Sequence, residues 1–455
     1  MRLSFLLGVL ALVAPALRAQ GVITTIAGVD PTFTGSGQIA TNVPIGYVNG
    51  VAVDTAGNVY FTDPLEHLVL RVAASDGTIA VVAGNGIAGY SGDGGPATEA
   101  AIASTDSPDQ YTGVAAPVSL GGVVVDNSGD VFFGDGPYVR EVTPDGNIAT
   151  IAGGGAAVPG NGLGATQVSL GAVTGLALDG AGNLYFAENN RVLVMSLASG
   201  VLNIFAGNAN NGFAGDGGPA GKATLSKPNG LTFDAQGNLY IADGDVINQP
   251  ARIRKVTPQG IISTVAGGGT QAPANGLPPL NVNLGYASGV AVDSSGNLYV
   301  YAPFDAYLLK VSGNTTTLVT NPFSTVFTTD VPATQAYLVG RRGNDNSGIA
   351  FDSAGNLYVA DSRDGHVVKI DATGFLTTIA GNGTYGSGGD GGPALDAFIE
   401  GPSHLTQTPD GTIYFLDTLN AAVRAISPAG VIRTVLNSLN YAPLGAAEVL
   451  NGIAS

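Results

Sequence analysis

Apolar and polar residues alternate in short runs along most of the chain. Segments such as "GLTFDAQGNLYIAD" from Gly230 and "GIAFDSAGNLYVAD" from Gly348 contain an alternating run, a four-residue turn of the form DxxGN, and a second alternating run. Alternation with a period of two is typical of β-strands. The turn Asp can accept bonds from backbone N–H groups, and the Gly supplies a positive φ. Each segment therefore predicts a β-hairpin.

The hairpin recurs along the chain at intervals of 53 to 72 residues. Seven segments align without gaps, and their turn positions are Asp54, Asp126, Asp179, Asp234, Asp293, Asp352 and Thr408. A third and a fourth apolar run follow, as in "RIRKVTP" from Arg252 and "GIISTVAG" from Gly260. Four strands per unit without helical periodicity predict an all-β chain, a β-propeller of four-stranded antiparallel blades. Seven blades are expected, six is the alternative count, and a linear solenoid is the alternative architecture.

The repeat unit resembles a known family. "PNGLTFDAQGNLYIADGD", followed by "ARIRKVTPQGIISTVAG", resembles the NHL repeat, including secreted bacterial versions that carry "GDGGPA" between units. The likeness covers nearly the whole chain after its first residues. The last copy departs from it, with Thr408 in place of Asp and "TPDGT" in place of DxxGN. The resemblance implies a propeller, often of six blades, that serves as an interaction module.

The N-terminal segment predicts export. "MRLSFLLGVLALVAPALRAQ" contains Arg2, an apolar run, and Ala19 ahead of Gln20, which is the layout of a cleaved secretory signal. We expect a signal peptide over residues 1–19, a single propeller domain over 20–455, no membrane span, and a secreted or periplasmic location. An orphan run, "GVITTIAG" from Gly21, resembles a fourth strand and is a candidate to close the ring. It competes for that place with "GVIRTVL" from Gly430.

Composition narrows the classes of partner. The chain has no Cys, which excludes disulfides and thiol chemistry. Its formal net charge of -17 disfavours nucleic acid, because binding to phosphates depends on clustered Lys and Arg. We expect a monomer that binds no nucleic acid.

The "GDGGP" loops look at first like ligand loops. Three near copies contain Asp93, Asp216 and Asp390. A phosphate loop requires a following helix, and a calcium loop requires several oxygen ligands, whereas each copy offers one Asp. The loops are therefore interpreted as turns that connect one blade to the next.

A series of acids ends the second strand of nearly every unit, and only Ala302 interrupts it. In a ring these carboxylates would lie near the face that carries the blade-to-blade loops, as candidates for binding a cation such as calcium. In the alternative reading, each acid caps its own turn. The candidates are Asp63, Asp135, Glu188, Asp243, Asp361 and Asp417.

Small polar residues begin the first strand of the units, where the strands would converge on the axis. Five of them, together with His404, are candidates for lining a ligand-binding channel mouth. The six residues are Asn49, Thr174, Asn229, Ser288, Ser347 and His404. A metal site there would require Asn49, Asn229 and His404 to converge with a carboxylate. No other cofactor is expected.

One basic residue recurs in the third strand of six units. These residues are predicted to be structural and to pair with acids on neighbouring strands. They are Arg71, Arg140, Arg254, Lys310, Lys369 and Arg424.

Three interpretations of the function remain open at this level. The first is a secreted scaffold that binds a protein or a glycan through the loop-bearing face, since no group of nucleophile, base and orienting residue is recognisable. The alternative is a propeller enzyme, similar to lactonases, hydrolases or lyases, with a metal site at the channel mouth. A matrix component without a small ligand is a third reading. No catalytic residue is assigned.

Overall fold

The structure is a computed structural model. It describes residues 36–38, 40, 50–64, 66–103, 120–244, 251–285, 289–302, 307–320, 329–336, 338, 349–352, 354–361, 364–408, 410–420 and 422–437. The predicted signal peptide and the orphan run at Gly21 lie outside these residues.

Seven antiparallel sheets follow one another along the chain. Blade 1 contains β1 (Gly50–Val53), β2 (Val59–Asp63), β3 (Leu68–Val72) and β4 (Ile79–Ala83), and blade 2 contains β5 (Leu120–Val125), β6 (Val131–Asp135), β7 (Tyr138–Val142) and β8 (Ile148–Gly153). Blade 3 has an outer β9 (Leu163–Gly164) and then β10 (Val173–Leu178), β11 (Asn183–Glu188), β12 (Arg191–Ser196) and β13 (Val201–Ala206). Blade 4 contains β14 (Pro228–Phe233), β15 (Leu239–Asp243), β16 (Arg252–Val256) and β17 (Ile262–Gly267).

The remaining three blades repeat this order. Blade 5 contains β18 (Gly289–Val292), β19 (Leu298–Ala302), β20 (Tyr307–Ser312) and β21 (Thr315–Leu318). Blade 6 has an outer β22 (Val331–Pro332) and then β23 (Ile349–Phe351), β24 (Leu357–Asp361), β25 (His366–Ile370) and β26 (Phe375–Ala380). Blade 7 contains β27 (Pro402–Gln407), β28 (Ile413–Asp417), β29 (Ala422–Ile426) and β30 (Ile432–Asn437).

Helical structure among the described residues is limited to single turns of 3-10 helix. Six lie in connections between blades, and one lies between β28 and β29. Their bounds are Ala97–Glu99, Ala165–Gln167, Ala220–Lys222, Pro279–Asn281, Ala333–Gln335, Ala394–Asp396 and Thr418–Asn420. No helix in the described part of the chain has the length and apolar character needed to cross a membrane.

The first strands form a closed circle around the axis. Each packs against the first strand of the next blade, and β27 of blade 7 packs against β1 of blade 1. The count is therefore seven, and the solenoid and six-blade alternatives are wrong. Blade 7 is completed by its own β30, which pairs with β29.

Among the residues that the structure describes, the hydrophobic core consists of seven clusters, one between each pair of neighbouring blades. The cluster that joins the first blade to the last combines Phe61 and Leu70 of blade 1 with Tyr414 and Leu416 of blade 7. Because these side chains are buried in the same way as those at interior interfaces, ring closure depends on ordinary hydrophobic packing.

The hairpin turns have the predicted chemistry. Asp54 Oδ1 accepts the N–H groups of Ala56 at 3.0 Å and Asn58 at 2.8 Å, and its Oδ2 accepts the Asn58 side-chain amide at 2.7 Å. Gly57 has a φ of 84°. The divergent last copy also forms its hairpin, in which β27 pairs with β28, and there Asp410 accepts the Thr412 N–H at 3.0 Å.

Each blade has two distinct ends. The turns within the first and last pairs of strands lie at one end, which we call the turn face. The loops between second and third strands lie at the other end, which we call the loop face. Each blade-to-blade connection also begins and ends at the loop face, but its middle part runs along the outer edge of the blade as far as the turn between the third and fourth strands.

Each connection crosses the outer edge of the blade that follows it. Before blade 4, the Gly217 N–H donates to Ile262 O at 2.8 Å, and the Ile262 N–H donates to Gly218 O at 3.0 Å. The same pattern covers the start of the fourth strand in all seven blades. The connections thus occupy backbone groups that would otherwise form an open sheet edge.

Candidate functional site

The acids that end the second strands are enclosed within the ring. The exposed fraction is 0% for Asp63, Asp135, Asp361 and Asp417 and 1% for Glu188 and Asp243. They therefore form no open crown on the loop face. The cation interpretation stays a prediction, and it would require these enclosed carboxylates to become accessible.

Hydrogen bonds explain why the acids are buried. Asp135 Oδ1 accepts the Ala103 N–H at 2.7 Å, and Asp243 Oδ1 accepts the Ser226 N–H at 2.6 Å. Both donors lie in the connection that enters the blade, not in the turn that follows the acid. Asp63 follows the alternative reading, because it accepts the Glu66 N–H of its own turn at 3.1 Å. Most of these bonds hold the blade-to-blade loops in place.

Three blades contain a buried Arg between two acids, which we call an arginine pin. In blade 4, Arg254 contacts Asp243 at 3.5 Å and Asp216 of the "GDGGP" loop at 2.9 Å. In blade 2, Arg140 contacts Asp135 at 3.1 Å and Asp93 at 2.8 Å. Blade 7 repeats the arrangement with Arg424, Asp417 and Asp390. All three Arg side chains are fully buried, so each pin fastens its loop to the sheet.

The loop motif and the buried Arg occur together. The three pinned blades are the three that follow a "GDGGP" loop. At the equivalent register, the other four blades have Leu70, Leu193, Leu309 and Val368. The sequence predicted the loops as turns but did not indicate this Arg partner. The joint occurrence of Asp and Arg was the available signal.

Burial has the largest effect on the pKa of the second-strand acid in two of the pins. It raises the pKa of Asp243 and of Asp417 to about 7, against the opposing effects of backbone N–H donors and of Arg254 and Arg424. In blade 3, burial also raises the pKa of Glu188, against the attraction of Arg191. Burial therefore disfavours the ionised form of these carboxylates in the folded blade.

The six basic residues of the third strands fall into two registers. Arg140, Arg254 and Arg424 pair with acids as predicted. Arg71, Lys310 and Lys369 lie one position later, opposite Tyr60, Tyr299 and Tyr358. Because neighbouring strand positions face opposite sides of a sheet, the second set lies on the other side of its blades. Of this second set, Lys310 also lies beside an acid, because its Nζ is 4.0 Å from Asp293 Oδ2.

The predicted channel-mouth residues are only partly described. Asn49, Ser288 and Ser347 lie outside the described residues, and the structure places the backbone but not the side chain of Asn229. Thr174 is exposed and lies in the irregular start of β10. The proposed convergence of Asn49, Asn229 and His404 thus stays a prediction.

Crowding near the axis explains one pair of glycines. A Cβ atom on Gly121 would lie 2.5 Å from Val173 O of the next blade, and one on Gly50 would lie 3.1 Å from Gly122 Cα. Side chains at these positions would separate the first strands of blades 1, 2 and 3. The Gly residues are needed for close approach of backbones.

His404 occupies a bulge in the first strand of blade 7. The register shifts between Ser403 and Leu405, and the φ of His404 is 42°. Its Nδ1 lies 3.2 Å from Ser403 Oγ, which is 2.7 Å from Thr418 Oγ1. Burial lowers the pKa of His404 to about 4, so the imidazole is neutral at physiological pH.

Exposed apolar side chains lie on the loop face beside blade 7. The exposed fraction is 50% for Tyr385, 41% for Phe398 and 51% for Leu419. A Cβ on Gly386 would lie 3.5 Å from Phe398, and the Asn420 side chain donates to Gly386 O at 2.6 Å. These contacts bring the connection and the β28–β29 loop together, and we call the three exposed side chains on these two segments the blade 7 patch.

Comparison with known proteins gives relatives over part of the chain. The profile of the teneurin NHL domain matches residues 207–281. Human teneurin-1 is 27% identical over 368 residues, which cover 72% of this chain and 13% of teneurin-1. The chain thus spans about an eighth of the length of this relative.

Solved structures resemble the chain at low identity. Virginiamycin B lyase from Staphylococcus aureus is 16% identical with a TM-score of 0.43, and the match covers 69% of this chain and 83% of the lyase. A gluconolactonase from Xanthomonas campestris is 15% identical with a TM-score of 0.38, covering 70% of this chain and 84% of that protein. Likeness at this level carries no information about chemistry.

Proposed function

We propose that this chain, which is an NHL-repeat β-propeller, is an exported recognition scaffold that binds a protein or a glycan through its loop face. One observation supports this most directly: the pinned loops share a fixed frame and present different side chains. Three positions before the Asp of the motif stand Tyr90, Phe213 and Ser387, while the Asp that binds the buried Arg is the same in all three loops. Recognition sites are commonly built this way, as variable loops on a rigid support.

The blade 7 patch is the part of the loop face best suited to a partner. Aromatic residues are enriched at the centres of protein interfaces, and they also stack on sugar rings. The frame beneath the patch is held by Arg424, which donates to Phe398 O at 3.0 Å and to Gly388 O at 3.2 Å. The patch is thus preorganised, which lowers the entropy cost of binding.

Binding can be tested with purified exported protein on a glycan array and on an array of extracellular protein domains. The triple variant Tyr385→Ser, Phe398→Ser and Leu419→Ser should lose at least tenfold in affinity for any ligand found. Phe375→Ser is the matched control, because Phe375 is exposed to a similar extent, 40% against 41% for Phe398, but begins β26 at the turn face. A ligand bound equally by the triple variant would contradict a role for the patch.

Export can be tested separately. Intact-mass measurement of protein recovered outside the cytoplasm should show an N-terminus at Gln20. A cytoplasmic protein that retains Met1 would refute this part of the proposal.

The enzyme alternative is favoured by one observation, the left-handed conformation of His404 near the axis. Backbone strain of this kind clusters at functional sites. A metal held there would show as a stoichiometric ion in elemental analysis of the purified protein. His404→Asn should abolish its retention, since Asn tolerates the same φ but lacks the imidazole. Protein that retains no metal from supplemented medium would remove this alternative.

A further inference from the structure

The three pinned loops contain a reactive pair of residues. In each loop, the Asp that binds the buried Arg is followed by Gly. A Gly has no side chain to shield the backbone nitrogen that follows the Asp, and it lets the chain take many conformations. For this reason Asp–Gly pairs cyclise to a succinimide more readily than pairs of Asp with larger residues. The three pairs are Asp93–Gly94, Asp216–Gly217 and Asp390–Gly391.

The cyclisation rearranges the chain and requires only water. The Gly217 nitrogen loses its proton and bonds to Asp216 Cγ, and one carboxyl oxygen leaves as water. Water then opens the five-membered ring. Cleavage of the new bond restores Asp, whereas cleavage between the nitrogen and the backbone carbonyl carbon of Asp216 gives isoaspartate, which has the same atoms and the same charge. Isoaspartate has one more carbon in the backbone and a shorter side chain.

Solvent reaches all three Asp side chains. The exposed fraction of the side chain is 43% for Asp93, 46% for Asp216 and 41% for Asp390. Water is therefore present for the ring-opening step, and burial does not protect these pairs. Protection has to come from contacts that hold the reacting groups in place.

The arginine pin holds the carboxyl group. In blade 4, Arg254 donates to Asp216 Oδ1 at 2.9 Å. The same guanidinium donates to Ala214 O at 3.4 Å and to Thr224 O at 3.1 Å, on either side of Asp216 in the connection. Because Arg254 is fully buried, it is a rigid support. The carboxyl group has to leave this support before its carbon can approach the Gly217 nitrogen.

The edge of the sheet holds the backbone nitrogen. In each of the three loops, the N–H of the Gly donates to the carbonyl of the first residue of the fourth strand. Such a bond has to break before the nitrogen can lose its proton. The bonds are Gly94 to Ile148 O at 2.8 Å, Gly217 to Ile262 O at 2.8 Å and Gly391 to Ile432 O at 2.9 Å.

We propose that Asp93, Asp216 and Asp390 are sites of isoaspartate formation that the arginine pins keep unreactive. Cyclisation requires the carboxyl carbon and the nitrogen to meet in one near-attack geometry, whereas the structure binds these two groups to different strands of the blade. The buried Arg thus controls the chemical lifetime of its loop as well as the position of the loop. This inference concerns the covalent state of the loops and does not depend on any ligand of the loop face.

A modified loop would lose its fixed frame. The carboxyl group of isoaspartate is attached directly to Cα, so it is one carbon shorter than the side chain that reaches Arg254. Arg254 would remain buried beside Asp243, at 3.5 Å, without its second acid. We therefore expect the modified connection to detach from the outer part of the blade.

The first test compares the folded protein with a peptide of the same sequence. The full protein and the synthetic peptide "GFAGDGGPAGKA", residues 212–223, are incubated under identical neutral conditions. Electron-transfer dissociation mass spectrometry distinguishes isoaspartate from Asp at each pair. The peptide should form isoaspartate at Asp216 at least tenfold faster than the protein. Equal rates would overturn the proposal.

The second test removes one pin without leaving its strand acid as a buried charge. The double variant Arg254→Leu with Asp243→Ala has the apolar pair that blade 5 has at these positions. It should form isoaspartate at Asp216 at least tenfold faster than the unaltered protein. The two loops that keep their pins are the control within the same molecules, and their rates should not change.

The corresponding variant of blade 7 exchanges test and control. Arg424→Leu with Asp417→Ala should increase the rate at Asp390 and leave Asp216 at the level of the unaltered protein. Melting curves confirm that each variant is folded at the temperature of incubation. An unchanged rate in the loop that lost its pin, or an equal increase in all three loops, would overturn the proposal.

Discussion

At the scale of single residues, the hairpin turns show how one side chain can stabilise a turn. Five of the turns place an Asn after the Gly, and its amide donates to the turn Asp, as Asn183 does to Asp179 at 2.8 Å. Blade 2 has Asp130 at this position. Burial and the Asp126 carboxylate raise the pKa of Asp130, because two carboxylates meet where the other blades have a hydrogen bond.

Asp130→Asn should therefore stabilise the protein. It replaces a repulsion by a hydrogen bond, for a gain of about 0.5–1.5 kcal/mol in the free energy of unfolding. Urea denaturation measures the change, and Asn183→Asp is the reverse control, which should destabilise by a similar amount. A destabilising Asp130→Asn would mean that the Asp130 carboxylate has a role of its own.

The raised pKa values of the buried acids predict how the stability of the protein depends on pH. An acid whose pKa is higher in the folded state than its unfolded value near 4 contributes stability at low pH, and loses it as pH rises through the folded pKa. For Asp243, with a pKa of about 7, the window runs from about pH 4 to pH 7. The unaltered protein should lose stability relative to Asp243→Asn across this window.

The comparison requires unfolding curves of both proteins at several pH values. Taking the difference removes the effect of other groups, such as His366 and His404, whose lowered pKa values act in the opposite direction below pH 6.5. Asp216→Asn serves as the control in the same pin. A constant difference between pH 4 and 7 would show that Asp243 does not titrate there.

The sequence predicted the residue chemistry of the turns but not that of the pins. The DxxGN turn is local, so its hydrogen bonds follow from the spacing of five residues. Arg254 and Asp216 are separated by 38 positions, and their contact depends on how a connection lies across a blade. The pattern of residues along the chain does not show which connection residue lies next to which strand residue in space.

At the scale of elements, blade 5 shows that a blade can fold without the arginine pin when its Arg and its strand Asp are both replaced. At the positions of Asp243 and Arg254 it has Ala302 and Leu309, and both are buried in the apolar core between blades 4 and 5. An apolar pair can therefore replace a buried ionic pair when both members change.

Arg254→Leu alone should destabilise the protein by about 3–5 kcal/mol, because it leaves the Asp243 carboxylate buried without its partner. Adding Asp243→Ala, which reproduces the blade 5 combination, should recover at least half of the loss. Chemical denaturation of both variants measures this non-additivity. Simple addition of the two losses would contradict the pairing. Asp216→Asn is the exposed control, with an expected effect of about 0–1 kcal/mol.

The cation prediction for the second-strand acids can be tested on the same proteins. Because these carboxylates are enclosed and hydrogen bonded, we expect millimolar calcium to leave the melting temperature unchanged. An increase in melting temperature that disappears in Asp135→Asn would support cation binding instead.

At the scale of the whole molecule, closure gives the junction of the first and last blades the same kind of packing as the junctions inside the repeat. Leu70 and Leu309 occupy the same register, the first at the junction of blades 1 and 7 and the second between blades 4 and 5. The repeat period predicted the ring but left its closure open, because strands from the two ends share one pattern.

Leu70→Ala and Leu309→Ala should therefore destabilise the protein to a similar extent, by about 2–5 kcal/mol each. Both should retain a single cooperative transition, followed by circular dichroism and by tyrosine fluorescence. An effect of Leu309→Ala without one of Leu70→Ala would indicate that the junction contributes nothing to stability.

The arginine pin also decides what can be transplanted between blades. A "GDGGP" loop moved alone to the entrance of blade 5 would meet Leu309 and Ala302, and its Asp would have no counter-charge. If Leu309 were also replaced by Arg and Ala302 by Asp, the transplanted loop would have the ion pairs that hold it in its native blades. The unit that can be transplanted is thus the loop together with the Arg and the strand Asp that hold it. In the sequence these parts lie dozens of residues apart.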